Sequence, residues 1–138
     1  MAQEEKKLLL VDLCARLPYG VIAKYKSREK EGNVKMTYGN IGYVAELGNG
    51  WWKECKPYLR PMSSMTEEEC DMVEEILGDK CIFDFMSNGD IVLKQGQFSQ
   101  NKLAKLYDYY ASIHVDYRGL IQKGLALEAP EKMYNLNK

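Results

Sequence analysis

The chain has 138 residues, and its 19 Lys and Arg against 20 Asp and Glu leave a net charge of −1. That size predicts one domain over residues 1–138 with a substantial core, and the near-neutral balance excludes a global field for nucleic acid or an anionic membrane, so any anion site must be local. The one early apolar run, Leu8 to Val11, is broken by Asp12 and too short for a signal core or a membrane span, which predicts a cytoplasmic chain.

In chain order, Glu4 to Leu17 reads as a helix, with Leu8, Val11 or Asp12, and Ala15 on one stripe and Leu9, Leu13 and Arg16 or Leu17 on the next. Pro18 stops it, and Val21 to Lys26 follows as a strand rich in β-formers. The charged run Ser27 to Asn33 reads as an exposed hairpin loop. Val34 to Tyr38, Ile41 to Leu47 and Trp52 to Leu59 read as three further strands, separated by Gly39-Asn40 and Gly48-Asn49-Gly50.

The segment Cys55 to Glu69 carries the hand-over from sheet to helix. Pro57 and Pro61 forbid helix, whereas Thr66 as N-cap with Glu69 three residues later forms a capping box, flanked by Met65 and Cys70 at the staple positions. The helix from Thr66 shows Cys70, Val73, Ile76 and Leu77 along its apolar side, with Gly78 as its C′ residue. Cys81 to Met86 and Asp90 to Lys94 then form a hairpin through Asn88-Gly89. From about Gln100 the spacing of Leu103, Leu106, Tyr107, Tyr110 and Ile113 predicts a last helix. After His114 the periodicity is lost, Gly119 and Gly124 mark turns, Leu120, Ile121, Leu125 and Leu127 form a strapping tail, and the residues beyond Pro130 read as loose. The expected fold is therefore α+β: a small bent antiparallel sheet or partly open barrel, plus a β-hairpin, packed with about three helices.

The chemistry-bearing residues are sparse. Cys14, Cys55, Cys70 and Cys81 have no CxxC spacing, and with the single histidine, His114, they form no ordinary zinc set, so they read as buried free thiols. No nucleophile signature surrounds Ser63 or Ser64, and His114 reads as a core or rim residue rather than a catalytic base. The carboxylates Asp84 and Asp90, and Glu67 to Glu69, read as solvated or as compensating a helix dipole. No phosphate-binding glycine loop is present, and three glutamates occupy the first turn of the Thr66 helix. What remains is aromatic and basic: Trp51, Trp52, Lys53, Lys56, Tyr58, Arg60, Tyr117 and Arg118, the composition from which stacking and phosphate contacts are made. Strand alternation separates Trp51 from Trp52, which predicts one tryptophan in the core and one at the surface.

Four stretches have a further meaning. Asp12 to Val21 (DLCARLPYGV), Cys55 to Glu69 (CKPYLRPMSSMTEEE), Asp116 to Ile121 (DYRGLI) and Gly124 to Pro130 (GLALEAP) resemble a family of small proteins encoded by phages and prophages of gut Bacteroidales. The resemblance implies a non-enzymatic accessory binding protein in the cytoplasm of the bacterial host, without a cofactor. In its sharpest form it implies a host-defence antagonist that sequesters a nucleotide immune signal, a cyclic nucleotide or an ADP-ribose-type ligand. In that form Arg16, Tyr58, Arg60, Ser63, Ser64, Tyr117 and Arg118 would face the ligand. The alternative for Arg60 and Arg118 is internal pairing that fixes the connecting loops. Two further readings stay open: an inhibitor or regulator that binds a host protein or a DNA-associated complex, and a homo-oligomer formed through exposed aromatics.

Overall fold

A computed structural model of the chain describes residues 2–47, 50–77, 83–85, 91–93 and 100–134. The fold is α+β. Its elements run α1 (Gln3–Arg16), β1 (Ile22–Ser27), β2 (Glu31–Lys35), α2 (Ile41–Ala45), β3 (Trp52–Leu59), α3 (Glu67–Leu77), β4 (Phe83–Phe85), β5 (Ile91–Leu93), α4 (Gln100–Ser112) and β6 (Leu127–Glu128). Four strands form one open sheet in the order β2-β1-β3-β6, and β4 and β5 form a separate antiparallel ribbon. The sheet is not closed into a barrel.

Three expectations need correction. The sheet is mixed rather than antiparallel, because β6 lies parallel to β3, with Tyr58 opposite Leu127 and Leu59 opposite Glu128. The loop between β1 and β2 is only Arg28 to Lys30, closed by Ser27, whose N–H reaches Lys30 O at 2.8 Å, so Glu31 to Asn33 belong to β2. Ile41 to Leu47 is no strand. Thr37 and Asn40 exchange hydrogen bonds, Thr37 N–H to Asn40 Oδ1 at 2.7 Å and Asn40 N–H to Thr37 Oγ1 at 3.3 Å, which starts the short helix α2. Val44 and Leu47 then turn inward together.

The other elements follow local chemistry. In α1 the buried face takes Leu9, Leu13 and Arg16 from the second of the two stripes and Asp12 from the first, while Val11 stays exposed. Pro18 sits in the 3₁₀ turn Leu17–Tyr19, and Gly20 closes it at φ 72°, a left-handed conformation that glycine adopts without a Cβ penalty. The capping box at α3 forms as expected: Glu69 N–H donates to Thr66 Oγ1 at 3.2 Å, and Thr66 N–H to Glu69 Oε1 at 2.9 Å. The position of Gly78, the hairpin turn at Asn88-Gly89, and residues Cys81 and Asp90 lie outside the described residues.

Two apolar clusters hold these elements. One lies under the sheet and joins Leu9, Leu13, Val21, Ala23, Val44, Trp52, Cys55 and Leu59 to Leu120 and Leu125 of the C-terminal segment. The other joins α3 to α4 through Met62, Val73, Leu106, Tyr110, Ile113 and Val115. Between them run Arg60 and Val115, bridged in parallel, and the polar residues described next.

Candidate functional site

The first polar group follows from the helical period. Asp12 and Arg16 are four apart on α1, so both point from the same face, and both are fully buried. Arg16 grips the carboxylate with Nε at 2.9 Å and Nη2 at 3.1 Å, and Nη2 also donates to Val115 O at 2.7 Å. Arg118 adds a second cation at 2.8 Å from Asp12 Oδ1. Tyr117 packs over these cations, its ring centroid 4.5 Å from the Arg118 guanidinium carbon and 5.5 Å from that of Arg16, and it stacks on Tyr107. One carboxylate thus serves two guanidinium groups, an arrangement that satisfies a buried charge at the cost of fixing all its partners.

The second group sits where β3 ends. Arg60 forks onto Glu69 at 2.8 and 2.6 Å, and its remaining N–H groups reach Ile113 O, Ser64 O and Ser64 Oγ. All five of its donors are engaged. Burial raises the Glu69 pKa, while hydrogen bonds from Arg60 and Thr66 lower it by more, so the carboxylate stays ionised below the usual range. Glu69 therefore has two roles: it closes the α3 capping box and ties that helix to the end of the sheet.

The third group is built by the C-terminal strap, residues 129–134. Ala129 N–H donates to Leu59 O at 2.8 Å, and the strap then crosses the end of the sheet to Tyr134. The Tyr134 hydroxyl accepts from Ile22 N–H at 2.8 Å and lies 2.7 Å from Tyr58 O and 3.2 Å from Ile22 O. Its ring stacks on His114, centroids 3.9 Å apart. Burial pushes its phenol up to about 12. His114 itself is buried at φ 60°, and burial together with the nearby Arg16 charge brings its pKa down to about 4, so the ring is neutral at pH 7. Among the described residues its Nδ1 has no hydrogen-bond partner, nor has Nη1 of Arg16.

An open groove of about 490 Å³ runs between the second and third groups, with Arg60, Ser64, Thr66 and Glu69 on one wall and Glu128, Glu131, Lys132 and Tyr134 on the other. The expected ligand-facing residues divide accordingly. Arg60 and Ser64 line the groove; Arg16, Tyr117 and Arg118 gather around Asp12; Ser63 is exposed beside Ser64; and Tyr58 directs its hydroxyl to Asn33 Oδ1 at 3.0 Å. Arg60 and Arg118 both make internal pairs. Lys132 and Tyr134 are lining residues that the sequence reading left out, because the segment after Pro130 has no periodicity and was expected to be loose. Its one aromatic residue, Tyr134, beside Met133, was the available signal.

A separate aromatic surface is carried by the chain segment that connects β2 to β3. A bulge at Lys26/Ser27 shifts the strand phase, so Trp52 turns inward to stack between Tyr25 and Tyr43 at 4.8 and 5.1 Å, while Trp51 stays 46% exposed. One tryptophan in the core and one at the surface is the expected division. Tyr38 is 77% exposed. Of the cysteines, Cys55 is buried, its thiol pushed up to about 12 by burial; Cys70 is half-buried, and Cys14 is exposed, against the expectation of buried thiols throughout. Among the described residues no His, Cys, Asp and Glu grouping could hold a metal ion, and no helix is long and apolar enough to cross a membrane. No family model, curated protein or solved structure matches the chain.

Proposed function

We propose that this chain is a phage-encoded accessory protein that acts by binding, and that it sequesters a nucleotide signal in the groove between Arg60 and the C-terminal strap. The observation that carries the reading is the groove itself: its volume of about 490 Å³ falls within the range of small-ligand sites, and an aromatic ring, a hydroxyl and two cations converge on it. The sequence resemblance to phage proteins supports the biological setting. The lining also narrows the ligand. Arg60 is neutralised by Glu69, and Glu128 and Glu131 oppose Lys132, so recognition rests on stacking and hydrogen bonding more than on net positive charge.

The test is thermal unfolding against cyclic dinucleotides, cyclic trinucleotides, linear nucleotides and ADP-ribose derivatives. A ligand at about 100 times its dissociation constant adds about 2.7 kcal/mol, a rise of roughly 5–10 °C for a domain of this size. The rise should shrink in Lys132→Glu, which removes a groove cation without touching the Arg60–Glu69 pair. No rise with any ligand in the panel would overturn the reading.

A host protein partner is the second reading, favoured by Tyr38, Tyr43 and Trp51, which stand exposed on one stretch of chain. Aromatic anchors of this kind concentrate binding energy at interfaces. Sedimentation equilibrium of wild-type and Trp51→Ala protein separates it from self-association, since only a homo-oligomer changes mass without another protein present.

A further inference from the structure

The sheet order leaves β2 at an edge, and among the described residues it pairs only with β1. The hydrogen bonds from Met36 N–H to Val21 O and from Ser27 N–H to Lys30 O fix the phase of that pairing. Alternation then turns the backbone groups of Gly32 and Val34 toward β1 and those of Glu31, Asn33 and Lys35 outward. All three outward residues are exposed. Lys35 O also accepts a long bond from Asn40 Nδ2 at 3.4 Å, which leaves its second lone pair available. An open edge of this kind is a template for another strand.

The side chains select which strand. Glu31 and Lys35 flank Asn33 symmetrically, and all three lie on the solvent face of the sheet. A second β2 laid antiparallel about a two-fold axis at Asn33 therefore sets each Glu31 opposite the other copy's Lys35, and the outward backbone groups of both strands fall into hydrogen-bonded pairs. Registers centred on Glu31 or on Lys35 oppose like charges instead. The row that Glu31 belongs to already alternates in sign across the sheet: Glu31 stands opposite Lys26, with Oε2 3.8 Å from Nζ, and Lys26 stands opposite Glu54. The second copy's Lys35 extends that row by one cation.

The core face agrees with the same register. Gly32 has no side chain, and the Tyr25 ring covers it, with Cε1 3.7 Å from where a Cβ would stand. That ring in turn stacks on Trp52. Pairing about Asn33 places Gly32 opposite the second copy's Val34, so the valine enters the space beside the glycine and meets the tyrosine ring, a favourable aromatic and β-branched contact.

We propose that the β2 edge is the docking surface for a second copy of this chain, paired antiparallel about Asn33 so that the two sheets become one. The groove lies at the end of β3, two strands away, so the proposal stands independently of the nucleotide reading.

The test is sedimentation equilibrium of the full chain. One short strand pair buries less than a standard interface, so the dimer is weak, and the concentrations run from about 10 μM to about 1 mM. Glu31→Lys and Lys35→Glu should each weaken the dimer about tenfold, because either one makes both end pairs repulsive. An equimolar mixture of the two variants should regain the wild-type association, because every end pair of the mixed dimer is again a cation facing a carboxylate. Both substitutions are at exposed positions, and unchanged circular dichroism confirms that the variants fold. A wild-type chain that stays monomeric throughout the range overturns the proposal. So does a dimer that neither reversal weakens, which would assign self-association to another surface, and so does a pair of weakened variants whose mixture fails to recover.

Discussion

Asp12 has no solvent and two guanidinium groups, and that contrast decides how it responds to change. Replacing it with alanine would leave Arg16 buried with no counter-charge, and such uncompensated charges typically destabilise by about 3–5 kcal/mol. Urea denaturation of Asp12→Ala should show a loss of that order, whereas Arg118→Ala, which removes the more exposed partner and leaves the Asp12–Arg16 pair intact, should lose less. His114 gives a pH signature of its own. Its pKa is depressed from 6.5 unfolded to about 4 folded, so folding favours the neutral ring. The associated stability is complete above pH 6.5 and drains away as the pH falls toward 4, by about 3 kcal/mol at its limit. Glu69 acts in the same direction at lower pH, because its carboxylate must protonate against Arg60. Denaturation midpoints at pH 7 and 5 should therefore separate clearly for wild type and draw together for His114→Gln, which removes the imidazole. Equal separation in both would remove His114 as the cause.

The elements legible in the sequence were those defined by contacts within a few residues. The Thr66 capping box, the Pro18 stop, the extent of Trp52 to Leu59 and the periodicity of α4 all depend on neighbours in the chain, and all are present. The run Ile41 to Leu47 misleads because Ile and Val favour strands when composition alone is weighed. The reciprocal Thr37–Asn40 pair outweighs that preference, and its Thr-x-x-Asn spacing was the available clue. Glu69 shows how a local signal can hide a distant one: the capping box predicts its bond to Thr66, but nothing in the spacing predicts its fork onto Arg60. Thr66→Ala should consequently cost about 1 kcal/mol, the usual worth of an N-cap. Glu69→Ala should cost clearly more, because it also strips Arg60 of its counter-ion in a half-buried setting. Equal losses from the two substitutions, measured by denaturant midpoint, would mean that the fork contributes nothing. The groove was legible in Arg60 and Ser64, and illegible in the strap, because Tyr134 is held through Ile22 and Tyr58, residues far away in sequence.

At the scale of the whole molecule, the sheet cluster and the α3/α4 cluster meet across polar residues rather than across a continuous apolar surface. Substitutions at this junction should therefore act on both clusters at once. In native-state hydrogen exchange, Arg60→Ala should speed the protected amides of β3 and of α4 together, and loss of protection in α4 alone would show that the clusters respond independently.

The parallel pairing of β6 with β3 has a consequence for how the chain is made. Tyr58 and its partner Leu127 are about seventy residues apart, so at ribosomal speeds of about 5–20 residues per second the outer edge of β3 stands open for several seconds before β6 emerges to cover it. An open edge is a template for stray strands from other nascent chains. Tyr58 directs its carbonyl toward β1 and Leu59 directs its own toward β6, so alternation places Pro57 on the waiting side, where it has no N–H to offer. The proline that bars a helix in this stretch thus also guards the unfinished sheet during synthesis.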